Sequence, residues 1–530
     1  MTIPQPGAAS EGISDALRDA MPSGELLCDD AARRLYSQDV FTRAAPAGMV
    51  LRPGELNELE EALSLLHAAG IASIPRGGGM SYTGGLVPDG EDWAVIDLGL
   101  MNRVLEVNRQ DMTVTVECGC TWKSLYEALA DTGLRTPYWG TLSGIRATVG
   151  GGLSQNAIFW GSGQHGSAVD SVISLTVVLA DGTRIETGSA AQSKSDPFFR
   201  HFGPDLTGLF CSDSGAFGVK AHATLRLVPQ MPAREYLAFD FAKAKETIAA
   251  MSDISRTGLA SECFGFDPFL QQQRLKRQSM SADVKALAGV MKASGSLMSA
   301  MHDGAKLAIA GRRYMNDVNF SVQIIVEDRI AAGAADKAAE IRAICQRHNG
   351  REIENSIPKI TRANPFGPVN SMLGPEGERW LPVHGLVPHS RFQAAYDAVE
   401  AIFDQHRERS DALGVGTGYL LATVSTHCCV LEPVFFWPDE LLEIHEDAVE
   451  PGHLKKLPRH APNPEAFDHV NTLRTELIAL FSDIGAVHLQ IGRSYNYRGA
   501  LKNGPAQLVD ALKQVLDGKS LMNPGSLGLE

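Results

Sequence analysis

Apolar positions along the chain change period several times, and each change marks an element. Over residues 55–69, "ELNELEEALSLLHAA", Leu56, Leu59, Ala62, Leu63 and Leu66 share one face of a helix, and Gly70 supplies the stop. "IASIP" then reads as a short strand, and the apolar run Trp93–Leu98 as another. "VLEVNRQDMTVTVECG" alternates and turns at Gln110-Asp111, which predicts a hairpin. "TWKSLYEALADTG" predicts a helix ending before Gly133, and "VDSVISLTVVLADGT" a strand closed by the Asp181-Gly182 turn. "DLTGLFCSDSGAFGVKAHATLRLVP" reads as a short helix, a glycine loop and a strand. From Leu134 to Gly166 the chain is glycine-rich and shows little helical or strand period, as expected of a stretch where backbone must approach something closely.

The pattern shifts at Pro229 and Pro232, where a domain boundary is placed. "FSVQIIVEDRIAAGAADKAAEIRAICQRHNG" and "LPVHGLVPHSRFQAAYDAVEAIFDQHRERS" each read as a strand, a turn bearing Arg and an amphipathic helix. Two such units suggest an antiparallel sheet with helices on one face; chance similarity of two amphipathic helices is the alternative. "SADVKALAGVMKASGSLMSAM" carries apolar residues at helical spacing and reads as a helix packed against the core or another domain.

Composition narrows the function classes. The chain has 530 residues, 44% hydrophobic and 21% charged, with a formal charge of −14, which argues against a nucleic-acid partner. No run of eighteen apolar residues predicts a spanning helix, and the N-terminus lacks the form of a secretory signal. Eight cysteines without a CxxC pair suggest neither zinc nor a disulfide framework and fit a reducing cytoplasm.

The stretch "RGGGMSYTGG", Arg76–Gly85, raises the question of a nucleotide phosphate. It is not a Rossmann loop: Tyr82 stands where the third glycine belongs, and "GGLVPDG" continues as loop rather than helix. No Lys-Ser/Thr follows to make a P-loop. Successive backbone N–H groups in tight turns can still form an anion nest, with Ser81 and Thr83 adding hydroxyls; a ligand-free glycine hairpin is the alternative.

Five blocks in order decide the matter: Arg76-Gly77-Gly78-Gly79-Met80-Ser81-Tyr82-Thr83-Gly84; Ala147-Thr148-x-Gly150-Gly151-Gly152; Gly161-x-Gly163-x-His165-Gly166; Leu179–Gly182; and "DLTGLFCSDSGAFGVKAHATLRLVP". With "LMNPGSLG" near the C-terminus they resemble the FAD-binding domain of the vanillyl-alcohol oxidase / p-cresol methylhydroxylase superfamily. The resemblance implies an α+β fold: a two-part FAD-binding domain from residues 1–229 and 481–530, and a cap at 230–480 with an antiparallel sheet covered by helices. It implies that the first loop wraps the FAD pyrophosphate and that Pro137, Gly140, Thr141, Gly144, Thr148, Gly150, Gly151 and Ser154 lie along the flavin. Gly161, Gly163, His165 and Gly166 continue that stretch, Gly218 and Val219 approach the adenine or ribityl portion, and Asn523 bonds the ring region.

The branch within the superfamily stays open. The FAD-binding blocks look most like the D-lactate dehydrogenase / glycolate oxidase branch, yet its His-rich metal segment is missing, and no metal site is expected. The cap segments "RWLPVHGLVP" and "YLLATVSTHCCVLEPVFFWPDE" look like aryl-alcohol and alkylphenol oxidases, where a cap histidine can be joined covalently to the flavin; His427 falls near that position. Tyr497-Arg498 resemble the pair that binds a phenolate there. Losing a hydride from the para carbon gives a quinone methide only if the ring oxygen is anionic, and an Arg plus a Tyr hydroxyl stabilise that anion. Arg493 or Arg498 could instead fork onto a carboxylate. "GRSYNYR" also contributes Tyr495, and His384 and His488 are base candidates. The expected activity is hydride transfer to flavin N5 from a para-substituted phenol or aromatic alcohol. A D-2-hydroxy acid is the close alternative, and a non-redox reaction like that of alkylglycerone-phosphate synthase a third. The expected partners are a small-molecule substrate and oxygen or an electron-carrier protein; a homodimer stays open.

Overall fold

A computed structural model describes residues 6–277 and 318–530. The predicted helix at 281–301 lies outside the described residues.

Three large sheets organise the described residues, besides a two-stranded pair of Leu134–Arg135 with Val228–Pro229. Strands Glu25–Leu27, Met49–Arg52, Trp93–Asp97 and Ala72–Arg76 form the first, in that spatial order, with the last three parallel. Helix Leu56–Ala69 links two of them and buries Leu59, Ala62, Leu63 and Leu66, the face its spacing predicts; Gly70 ends it at φ 71°. The second sheet is antiparallel and runs Val104–Asn108, Thr113–Glu117, Val219–Arg226, Val172–Val178, Arg184–Glu186. The chain end returns to the first sheet: Ser73 N–H donates to Leu521 O at 2.7 Å, and Asn523 N–H to Ser73 O at 2.8 Å.

The third sheet has eight strands, all antiparallel. Its order is Arg351–Glu352, Ala233–Phe241, Phe320–Asp328, Glu262–Phe266, Gly416–Val424, Cys428–Trp437, Arg379–Pro382, and Gly385–Pro388 also pairs with Cys428–Trp437. Both strand–helix units of the sequence belong to it, and Ala233–Phe241 with helix Ala244–Thr257 is a further one. Alternation splits its residues between two environments. Cys429, Leu431, Phe435 and Trp437 face a helical layer through Ile248, Met251, Ile341, Phe392 and Leu473. Val430, Val434 and Phe436, with Phe264, Phe266 and Ala422, form the opposite face.

The glycine-rich stretch is more regular than its pattern predicts. Val149–Gln155 is a helix capped by the Thr148 hydroxyl, which accepts the Gly151 N–H at 3.1 Å, and Ser162–His165 is a further short turn of helix. Close packing compensates for the weak propensity of glycine: a Cβ on Gly152 would stand 2.8 Å from the Trp122 indole nitrogen. A buried ion cluster ties this region to the third sheet. Glu327 accepts from Arg135 at 2.7 Å, from Arg234 at 3.1 Å and from Arg362 at 3.4 Å.

Candidate functional site

Two cavities adjoin where the sheets meet. The first is lined by Pro75–Ser81, Thr148, Gly150–Gly152, Ser154, Ser214, Gly215, Gly218 and Lys220. The second lies against the free face of the eight-stranded sheet, and Met80, Thr141, Ser143, Ala157 and Gln490 line both.

The first cavity is made mostly of backbone. The N–H groups of Gly78, Gly79 and Met80 find no acceptor among the described residues, and they succeed one another on the cavity wall. Gly79 turns at φ 72°, and a Cβ on Gly78 would sit 2.0 Å from the Arg146 carbonyl oxygen, so the loop is shaped by what glycine lacks. Such a row of unpaired donors is an anion nest and fits a pyrophosphate. Lys220, buried and paired with Asp213 at 2.6 Å, adds a cation to the same wall.

Several residues assigned to FAD hold the loops instead of lining this cavity's donor row. The Arg76 guanidinium turns inward and donates to the carbonyls of Gln38 at 2.8 Å and Tyr36 at 3.2 Å. Asn523 donates to Gly85 O and Ser214 O, both at 2.8 Å, and so pins two loops. Thr83, Gly84, Pro137, Gly140, Gly144, Gly161, His165, Gly166 and Val219 line neither cavity, while Tyr82 and Gly163 line the second. Gln490 and Cys118 lie outside the five blocks, and Ser214 and Lys220 lie within the fifth but were given no site role; Gln490 and Ser214 reach the wall from loops at positive φ.

The second cavity has a volume of about 190 Å³. A cavity of roughly 150 Å³ takes a benzene ring, so there is space for one ring with substituents. Phe159, Phe264, Leu420, Val430, Val434, Phe436 and Trp380 make its walls apolar. Its polar groups are few. Tyr82 accepts from Gln490 Nε2 at 2.9 Å, which leaves its hydroxyl proton free for the cavity. His384 is 1% exposed. The Tyr495 hydroxyl accepts the His384 backbone N–H at 3.0 Å and is also hydrogen-bonded to His384 Nδ1 at 3.0 Å. Nε2 has no partner among the described residues. Burial, and then His488, push the His384 pKa down to about 3, so the ring is neutral at physiological pH. With Nδ1 held by Tyr495, Nε2 is the ring atom of His384 left to meet a ligand: as a donor if the Tyr495 hydroxyl donates to Nδ1, as a base if Nδ1 donates to Tyr495. His488 donates from Nδ1 to the His384 carbonyl at 2.8 Å and stacks on Tyr495 at 3.9 Å, supporting the site without lining it.

Two acids line the cavity in different states. Glu262 is spent, accepting from Gly161 N–H at 2.8 Å and from the Ser261 hydroxyl at 2.5 Å. Burial and the neighbouring Glu327 raise its pKa. Glu432 has no such partners; burial pushes its pKa up to about 8 against the opposing pull of Arg274.

The other expected residues lie elsewhere. Arg498 is on the surface in a two-pronged pair with Asp510 at 2.6 Å, and Tyr497 precedes it on the short helix Tyr497–Ala500; neither lines a cavity. Arg493 donates to Pro524 O at 2.9 Å and Asn523 Oδ1 at 3.2 Å, which uses it as a strut. His427 occupies an exposed turn between Gly416–Val424 and Cys428–Trp437, outside both linings, so a covalent bond through it finds no support in the geometry.

Residues 47–188 match the family described as FAD binding domain. The match makes FAD the cofactor of this chain. It is 27% identical over 213 residues to D-lactate dehydrogenase [cytochrome] 1, mitochondrial, of Saccharomyces cerevisiae, a match that covers 40% of this chain and 35% of that protein. The chain spans about half or less of the length of the curated relatives it matches. Two solved structures share the fold. p-Cresol methylhydroxylase with substrate bound has a TM-score of 0.74 at 13% identity, over 99% of this chain and 98% of that one. An alkyldihydroxyacetonephosphate synthase has a TM-score of 0.70 at 16% identity, over 99% and 86%. Among the described residues no helix is long and apolar enough to cross a membrane, and no three His, Cys, Asp or Glu side chains gather as metal ligands would.

Proposed function

We propose that the chain is an FAD-dependent oxidoreductase acting on a hydroxyl-bearing or benzylic carbon of a largely apolar, aromatic-sized substrate. The observation that carries this reading is the wall of Met80, Thr141, Ser143, Ala157 and Gln490, which the nest-bearing cavity shares with the apolar one. Residues 1–229 and 481–530 hold the cofactor in this reading, and 230–480 form the cap. Bound FAD supplies a hydride acceptor at N5.

The protein's own groups orient and discharge the substrate. Tyr82 and His384 donate hydrogen bonds to the substrate oxygen and stabilise negative charge there as the C–H bond weakens. Glu432 takes up the hydroxyl proton; it is the one carboxyl on the cavity wall, among the described residues, with no hydrogen bond to protein. The apolar walls exclude water. Oxygen or an electron-carrier protein completes the cycle, in the reducing cytoplasm that eight free cysteines suit.

Anaerobic mixing of the holoenzyme with vanillyl alcohol, 4-ethylphenol, D-lactate and glycolate tests this. Bleaching of the flavin by an aromatic member is the expected result. Bleaching by D-lactate or glycolate alone assigns the D-2-hydroxy-acid activity instead. Alkyl exchange with no bleaching assigns a non-redox reaction.

A further inference from the structure

The sheet that floors the second cavity holds one residue that breaks its pattern. Along Cys428–Trp437 the cavity-facing positions are Val430, Glu432, Val434 and Phe436, so an acid stands in an apolar row. Its cross-strand neighbours complete a line: Glu432 pairs with Leu420, and Leu420 with Phe266. Above Phe266, at 4.4 Å from ring centroid, lies the Arg274 guanidinium. Arg274 comes from helix Pro268–Arg277, one turn beyond Leu270, and both line the cavity. Asp267 anchors that helix by accepting the N–H groups of Tyr419 at 2.8 Å and Leu270 at 3.0 Å. Among the described residues no hydrogen bond or ion pair engages the Arg274 guanidinium, and its Nε is buried without a partner. A buried cation left open to a cavity needs an anion to share it.

We propose that Arg274 is a substrate-recognition residue that binds a carboxylate carried at the end of the substrate remote from the reacting carbon. This deepens the reading above and rests on it for the position of the reacting carbon. In the sheet order Glu262–Phe266, Gly416–Val424, Cys428–Trp437, Arg379–Pro382, Arg274 lies over Phe266 of the first strand, Glu432 is on the third, and Tyr82 packs edge-on at 5.8 Å against Trp380 of the fourth, with His384 beside Tyr82. Glu432 interacts electrostatically with both Tyr82 and Arg274, whereas Arg274 has Glu432 as its charged neighbour. The anion and the reacting carbon are thus separated by an apolar body, as in an aryl or arylalkyl acid. In lactate or glycolate the carboxylate adjoins the reacting carbon, and this spacing does not suit it. The planar guanidinium accepts a carboxylate through two parallel N–H bonds while Phe266 stacks beneath it.

Titration of the oxidised holoenzyme with carboxylates, read from the shift in flavin absorption, needs no turnover and so stands apart from the assay for oxidation. The panel is phenylacetate, 3-phenylpropionate, phenylacetamide and D-lactate. The aryl acids should bind more tightly than the amide or D-lactate. Arg274→Gln should weaken the aryl acids by roughly 30-fold or more and leave the amide within about 3-fold. Arg274→Lys should restore part of the loss. Glu432→Gln, which leaves Arg274 intact, should keep the aryl acids bound while slowing flavin reduction. The proposal is overturned if no aryl acid shifts the spectrum, if acid and amide bind alike, or if Arg274→Gln with its flavin spectrum intact binds the acids as the parent does. Loss of flavin from both Arg274 variants would make the residue structural and would overturn it too.

Discussion

The two cavities are built by opposite means. The nest-bearing cavity, proposed for the cofactor, is backbone: N–H groups that glycine allows to face outward line it, and its side chains mostly brace loops. The apolar cavity, proposed for the substrate, is side chain: a plain antiparallel sheet provides the floor, and the polar groups set into it carry the proposed chemistry. A backbone site tolerates little change in shape but has no titration of its own. A side-chain site keeps its shape under substitution and changes its chemistry, because each group acts through one proton or one charge.

The largest expected effect tests the first half of that contrast. Gly78→Val would put a branched Cβ into the Arg146 carbonyl, with 2.0 Å where contact needs well over 3 Å. The purified variant should carry no bound flavin, which its visible spectrum reads directly. Retention of flavin at wild-type occupancy would show that the loop is not the pyrophosphate cradle. In the second cavity, His384→Leu should keep flavin and lose roughly 100-fold or more in the rate of flavin reduction, as the loss of one aimed donor does elsewhere. Tyr495→Phe removes the hydroxyl that holds His384 Nδ1 without removing the His384 ring, and should cost about 10-fold. Stopped-flow reduction under anaerobic conditions measures both.

The same contrast explains what could be read from sequence. Glycine blocks are visible because only glycine meets a steric demand, so the order Gly77–Gly79, Gly150–Gly152, Gly218 announced a backbone site. The sheet with helices on one face was suggested by the two strand–helix units, with chance similarity the alternative, and by the family resemblance. His384 was singled out because it stands among prolines in the segment that forms two cap strands, though it lies between them and its ring is held by Tyr495, over a hundred residues away. Arg274 and Glu432 left no signal. Arg274 lies on an ordinary polar helix, and Glu432 is one acid within "VLEPVFF" until strand register sets it opposite Leu420. Tyr497-Arg498 misled because a local pair was given a role that only tertiary position confers. The bonding of Arg498 to Asp510 needs a helix, Asn503–Leu516, whose packing the pair itself does not encode.

Titration separates the cavities next. Glu432 faces Arg274, Tyr82 and Tyr495 across the cavity, and burial raises its pKa to about 8. As its base form accumulates, flavin reduction should rise with pH and level off above about 8. Stability should run the other way. In the unfolded chain the group ionises near the ordinary glutamate value, about 4.3. Between there and about 8 unfolding releases a proton, so stability falls through that window, by an amount on the order of 5 kcal/mol. Glu432→Gln should flatten both profiles, and its thermal midpoint should exceed that of the parent most clearly above pH 8. A bound flavin with unchanged spectrum across the same range would confirm that the backbone cavity does not share this titration. Parallel rate profiles for parent and Glu432→Gln would assign the proton to another group.

The smallest expected effects fall on residues that lie in neither cavity. Arg498→Ala removes an exposed pair with Asp510, and exposed pairs contribute little. Its rate of flavin reduction should stay within about 2-fold of the parent, and its thermal midpoint within about 1 °C. His427→Ala alters an exposed turn and should leave flavin content unchanged. Acid precipitation should release the flavin from parent and variant alike, since no covalent bond through that ring is supported. A large kinetic loss in Arg498→Ala would return the anion-binding role to the C-terminal pair. It would require the helix Tyr497–Ala500 to reach the substrate cavity, and Arg274 would then no longer be the sole cation among the described residues proposed to meet a substrate carboxylate.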